Sequence, residues 1–190
     1  MGTLTFTVTV SIDGYAADSE GDFQWTGPAD EVFAVHLERM AEVSVEVLGR
    51  RTYGLMDYWE RYPDAGDRPE AEREFARRWQ GISKVVVSST MTDQELTSDR
   101  ARIVPRLSLA ELRRIVADAE GLVEIFGPTT AVDAIRSGLV DEFRFFVVPK
   151  MVGGGLRALP GDVHLDLELA EHRTFANGTV YLRYLTRRDR

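Results

Sequence analysis

Cysteine is absent from the 190 residues, and histidine occurs only as His36, His164 and His172. The first absence excludes disulfides, iron–sulfur clusters, thiolate metal sites and cysteine nucleophiles, and the histidine spacing matches no metal-ligand pattern, so no metal is expected. No run approaches the roughly 18 uninterrupted apolar residues of a membrane span. The opening MGTLTFTVTV lacks the basic start and long apolar core of an export signal. Positive charge is in deficit, with 23 Lys and Arg against 31 Asp and Glu and a net charge of -8, so the overall field repels polyanions. The expectation is a soluble cytoplasmic protein with no membrane and no nucleic-acid partner. Signature motifs are missing too: there is no G-x-x-x-x-G-K-[ST] phosphate loop, no G-x-G-x-x-G after a strand, no G-x-S-x-G elbow and no H-E-x-x-H.

What remains is a mixture that is 44% hydrophobic and 28% charged, of a length that suits one domain over 1–190. Leu4 to Val10 alternates apolar residues with Thr, the period of a half-buried strand, and Asp13-Gly14 turns the chain. An amphipathic helix is expected from near Ala29 through Ala41, then a strand over Val43 to Leu48 ending in Gly49. Glu60 to Glu74 reads as an exposed connection into a short helix ending near Trp79. Lys84 to Val87 is a brief strand. Ser108 with Glu111 forms a capping-box pattern for a helix through about Ala119. Leu122 to Phe126 is a strand, Gly127-Pro128-Thr129-Thr130 opens a helix closed by Ser137-Gly138, and Glu142 to Val148 is a strand before a glycine-rich turn at Pro149 to Gly155. Val163 to Ala170 and Val180 to Thr186, around Asn177-Gly178, read as a terminal hairpin. Alternating strands and helices followed by a hairpin predict an α/β three-layer sandwich, with a mostly parallel central sheet and antiparallel strands at the C-terminal end.

In such sheets ligands settle beyond the carboxyl ends of the strands. Three of those ends carry small, hydroxylated or basic residues: Gly49-Arg50-Arg51-Thr52, Ser88-Ser89-Thr90 and Gly127-Pro128-Thr129-Thr130. Backbone N–H groups, hydroxyls and guanidinium forks are what a phosphate needs. Taken one at a time, helix capping and a solvated arginine pair account for the same residues.

Ser11-Ile12-Asp13-Gly14, Leu48-Gly49-Arg50-Arg51-Thr52-Tyr53, Val85-Val86-Val87-Ser88-Ser89, Gly138-Leu139-Val140-Asp141-Glu142, and Pro149 with Gly153-Gly154-Gly155 together resemble the dihydrofolate-reductase-like superfamily. The similarity is to the branch containing the reductase domain of the bifunctional riboflavin-biosynthesis deaminase-reductase. The resemblance implies that fold, an NADPH cofactor, a small heterocyclic substrate and a homodimer. It also implies that Arg50 or Arg51 pairs with the 2′-phosphate and that Thr52 lies near the pyrophosphate. Ser88, Ser89 and Thr90 would cover the adenosine side, and Thr129 and Thr130 would meet the pyrophosphate. The sequence departs from the family where Gly127-Pro128 replaces a glycine pair, because proline brings no N–H donor.

Reduction of a C=N bond needs a proton source. Asp30, after Trp25 and Pro28, is the leading candidate by resemblance; it equally suits the dipole of its helix. Glu46 interrupts an apolar strand, as a buried acid of raised pKa, half of an ion pair, or a residue on an exposed strand face. Asp13 is the third candidate, with a plain turn as its alternative. Trp25 and Tyr53 are candidate walls for a planar substrate, and the Tyr15–Gly27 loop a candidate lid.

Three functions follow. The first is an NADPH-dependent reductase of a pterin or aminopyrimidine. The second is an NADP-binding or sensory protein of the same fold without turnover. The third is an interaction domain using the final strands with Phe143, Phe145 and Phe146.

Overall fold

The alternating LTFTVTVS segment forms β1 (Leu4–Ser11), an inner strand of an eight-stranded sheet. The computed structural model describes residues 2–64 and 66–188. After β1 come a short β2 (Tyr15–Ala17), α1 (Asp30–Met40), β3 (Val43–Gly49), α2 (Arg50–Glu60), α3 (Glu70–Gly81), β4 (Ser83–Val87) and β5 (Ala101–Val104). Then follow α4 (Leu109–Asp118), β6 (Leu122–Phe126), α5 (Pro128–Arg136), β7 (Glu142–Val148), a two-residue β8 (Leu156–Arg157), β9 (Leu167–Thr174) and β10 (Val180–Thr186). The sheet order is β5-β4-β3-β6-β1-β7-β10-β9. Six strands run parallel, and β10 pairs antiparallel with both β7 and β9. This is the expected sandwich, because strands wrapped on both faces must be apolar on both.

One face is covered by α4 and α5, whose Leu112, Val116, Ala131 and Ile135 pack on Phe6, Val47, Ile125 and Phe143. The other face is covered by α1, α2 and α3: Met40, Tyr53, Phe75 and Trp79 pack on Val43, Leu48 and Val86, and Val32 and Val35 meet Phe146 and Tyr181. Phe143 and Phe146 are therefore core residues at 2% and 0% exposure, which corrects their reading as an interface; Phe145 alone of the three is half-buried. Among the described residues no helix is long and apolar enough to cross a membrane.

Several elements differ from expectation, the short β2 and β8 among them. Helix α2 follows β3 without a break, since Gly49 ends the strand and also caps the helix. Its one fully buried residue is Tyr53, so no apolar stripe announces it. Strand β5 has four residues at a sheet edge, too few for a period to show. Strand β9 begins at Leu167 rather than Val163, with a register shift at Arg183/Tyr184. Ser108 does cap α4, accepting from Glu111 N at 3.1 Å, but the Glu111 carboxylate pairs with Arg102 instead of closing a capping box.

Phe6 is fully buried and lies edge-on to Phe143, with ring centroids 6.2 Å apart. Phe6→Ala is expected to lower unfolding stability by about 3–5 kcal/mol in urea denaturation, the usual cost of an aromatic cavity.

Candidate functional site

Parallel strands leave a crevice where their carboxyl ends diverge, and here it opens above β1 and β6. Its volume is about 300 Å³. The floor is Thr7, Val8, Thr9 and Phe126; Arg51, Thr52, Leu55 and Met56 of α2 form one wall, and Ala16 and Ala17 of β2 with Phe23 and Thr26 of the segment after it form another. The α2 residues recur at the one-turn spacing of a single helix face. No carboxylate lies among the lining residues.

Two helix starts converge at this crevice. Gly49 caps α2 and Gly127 caps α5, neither helix has an acidic residue in its first turn, and neither has a side-chain cap. Their first-turn N–H groups are thus available to an anion. The two starts cross closely: a Cβ on Gly49 would stand 3.0 Å from Thr130 Oγ1, and one on Gly127 would stand 3.2 Å from Thr52 Oγ1. Gly127 also adopts φ 109°, a region that L side chains avoid. Pro128 follows at the first helical position and adds no donor. Across α5 from the crevice lies a second cavity of about 210 Å³, lined by Val87, Arg106, Leu107, Ser108, Thr129 and Thr130. The α5 start therefore borders both cavities, Gly127 and Pro128 on one side and Thr129 and Thr130 on the other.

The two neighbouring arginines part company. Arg50 donates to Thr90 Oγ1 and Glu95 Oε1, each at 3.0 Å, with its side chain 55% exposed. Arg51 lines the crevice and donates to the Gly21 carbonyl at 3.0 Å, tying α2 to the loop between β2 and α1. Ser88 Oγ accepts from Thr90 N at 3.3 Å and Met91 N at 3.1 Å, so it braces its own turn; Ser89 is exposed. Two wall assignments are corrected. Tyr53 is 4% exposed in the core, with its hydroxyl against Thr97 N at 3.0 Å, because it sits about 100° around α2 from Thr52. Trp25 donates to the Asp22 carbonyl at 3.0 Å and lies off the lining, where Phe23 and Thr26 stand instead.

None of the three candidate acids reaches the crevice lining. Asp30 is exposed in the first turn of α1, the position that favours the helix dipole. The Asp13 carboxylate accepts from Gly153 N at 2.7 Å and Val152 N at 3.2 Å, clamping the glycine-rich turn. Bonding from Ser11 and those N–H groups holds its pKa below the usual carboxylate range, the wrong direction for a proton donor. Glu46 is 2% exposed and faces the helical layer of α1. It belongs to a row of polar residues in register across the sheet, Lys84, Glu46, Glu124, Thr5 and Glu142, on five adjacent strands. Arg39 of α1 pairs with Glu124 and stands 3.8 Å from Glu46 Oε1. Burial pushes the Glu46 carboxyl up to about 7 against the pull of Arg39 and Lys84. Lys84 itself bonds Glu60 at 3.0 Å and Ser98 at 3.3 Å.

The residues missed from sequence are Thr7, Leu55, Met56 and Phe126 around the crevice and Arg106 in the second cavity. Thr7 had a signal: the alternation in β1 puts Thr5, Thr7 and Thr9 on one face. Leu55 and Met56 had none, because helix α2 itself was not legible. Among the described residues no group of three or more His, Asp or Glu side chains is placed to hold a metal ion.

Residues 2–181 match the model of the RibD C-terminal domain. The chain is 25% identical over 181 residues, 93% of its own length and 91% of the relative's, to the uncharacterized protein YyaP of Bacillus subtilis. Its fold is similar to that of the Thermotoga maritima diaminohydroxyphosphoribosylaminopyrimidine deaminase/5-amino-6-(5-phosphoribosylamino)uracil reductase, with a TM-score of 0.67 at 15% identity over 97% of this chain. That match spans 56% of the Thermotoga chain. The fold is similar as well to Enterococcus faecalis dihydrofolate reductase complexed with NADP(H), with a TM-score of 0.63 at 14% identity, covering 97% of this chain and 96% of that one.

Two outcomes test this geometry. Gly127→Ala is expected to cost about 1–3 kcal/mol of stability in urea, the usual strain of a side chain held at such a φ. Because Glu46 keeps in the folded state a proton that it releases in the unfolded chain between about 4.5 and 7, its stabilising contribution is present at low pH and fades as pH rises through about 7. Denaturation of Glu46→Gln should therefore show the variant gaining on the parent between acidic and mildly basic buffer.

Proposed function

The chain belongs to the RibD C-terminal domain family, and from that premise we propose that it is an NADPH-dependent reductase of a small nitrogen heterocycle, an aminopyrimidine or a pterin. The observation that carries this reading is the pair of uncapped helix starts between two cavities. A dinucleotide has the matching layout of two ring systems joined by a pyrophosphate. The residues present fit such a cofactor. The first turns of α2 and α5 would take the pyrophosphate, with the Thr52 and Thr130 hydroxyls beside it, and the glycines permit the close approach. Arg106, Leu107 and Ser108 would enclose the adenine, and Arg50 with Thr90 would face the 2′-phosphate.

In this reading NADPH supplies a hydride. The chain's own residues do the rest. Phe23, Met56 and Phe126 would shield the reacting carbon from water, and Thr7, Thr9 and Thr26 would orient the heterocycle through their hydroxyls. Arg51, held to Gly21, keeps the covering loop against α2. The Thermotoga enzyme is named for an amino-substituted uracil, and a crevice of this size suits a ring of that class. Pairing as a homodimer belongs to the same proposal. Half-buried Phe145 and Tyr184 and exposed Leu169 share one face of the terminal strands.

The absence of a carboxylate from the crevice lining favours a second reading, an NADP-binding sensor without turnover. NADPH titration followed by its oxidation with dihydrofolate and aminopyrimidine substrates separates the two: binding without oxidation across the panel supports the sensor. Arg50→Ala should weaken NADPH by about tenfold or more while changing NADH little, since a charge-assisted bond to phosphate is lost. Equal losses for both cofactors would remove Arg50 from the 2′-phosphate. Arg51→Ala is expected to affect both cofactors alike.

A further inference from the structure

Beneath the crevice floor, two buried carboxyl groups share one guanidinium. Glu46 and Glu124 are in-register neighbours on β3 and β6, at 2% and 0% exposure, and Arg39 is the cation between them. The other charges around them are already matched. From β4, Lys84 is paired with Glu60 of α2. From β7, Arg144 is paired with Glu142 and with Glu42 beyond α1. His36, one turn before Arg39 on α1, stacks on Phe146, and burial keeps it neutral. Two carboxylates against one cation leave a net negative charge in a site shielded from water, and Glu46 Oε2 has no hydrogen-bond partner among the described residues. Binding one proton relieves that cost.

One residue connects this pair with the crevice. Thr7 lines the floor, and its hydroxyl is hydrogen-bonded to Glu124. We propose that Glu46 and Glu124 hold a single shared proton and that Thr7 relays it from Glu124 to the substrate nitrogen. The inference rests on the reductase reading for its final step only. As the hydride brings its electron pair to the ring carbon, the C=N π bond breaks towards nitrogen. The nitrogen then takes the Thr7 hydroxyl proton, Thr7 takes the proton of Glu124, and the carboxyl pair is left fully ionised beside Arg39 until solvent returns a proton. Thr7 is thus a catalytic residue, whereas Glu124, Glu46 and Arg39 are positioning residues acting through it. The raised Glu46 pKa agrees with a proton held at neutral pH.

The test has two arms. Infrared spectroscopy of the whole protein through neutral pH should show the carbonyl stretch of a buried protonated carboxyl that titrates away on raising the pH. The band should vanish in Glu46→Gln and shift in frequency in Thr7→Val. With any heterocycle that the protein reduces, Thr7→Val should lower kcat by about 10²-fold, the usual size of a lost general acid, with KM changed less than about threefold. Thr7→Ser, which keeps the hydroxyl, should restore most of kcat and the parent pH profile. A parent spectrum without the band overturns the shared proton whether or not the protein turns over. Parent-like kcat in Thr7→Val overturns the relay. Failure to bind NADPH or to reduce any heterocycle, with the band present, overturns the reductase reading and with it the relay, and leaves the shared proton standing.

Discussion

The crossing of two helix starts at the carboxyl ends of β3 and β6 is the constraint on which the rest of the site depends. Gly49 meets the Thr130 hydroxyl and Gly127 meets the Thr52 hydroxyl, so a Cβ on either glycine would press on a hydroxyl of the other helix. That contact brings two sets of free N–H groups to one point and sets a cavity on each side of it. In a protein with a net charge of -8 these partial positive charges are local and backbone-fixed, and Arg51 and Arg106 add to them in the two cavities.

The sheet below is built against a second constraint. Parallel strands covered on both faces normally carry apolar side chains throughout, yet a polar row crosses five of them beneath the crevice. Buried ion pairs seldom add net stability, since desolvation offsets attraction. The buried Arg39 of α1 accounts for one of the two carboxylates, Glu46 and Glu124, and the second points to chemistry rather than stability as its reason. Its link to the crevice through Thr7 is what gives that chemistry an outlet.

Two adjacent arginines show how far a motif can be read. Arg50 and Arg51 are equivalent in sequence, but successive residues on a helix point about 100° apart. One therefore reaches across to Thr90 and Glu95 beyond β4, and the other turns to the crevice and the Gly21 carbonyl. The same rotation carries Tyr53 into the core while Thr52 faces the crevice. Only the phase of α2 decides between them. That phase was hidden, because the helix has a single fully buried residue and begins on the glycine that ends a strand.

What the sequence by itself determined was the class of the sheet, most of its strands, and the turns at Gly14, Gly127 and Gly178. These follow from local rules: side-chain alternation, helix caps and the freedom of glycine at positive φ. Only the tertiary structure decided which acids stand away from the crevice, which arginine faces it, and that Glu46 has Glu124 and Arg39 for company. Those facts depend on register between strands distant in the chain and on helix phase, and neither is encoded in the spacing of neighbouring residues.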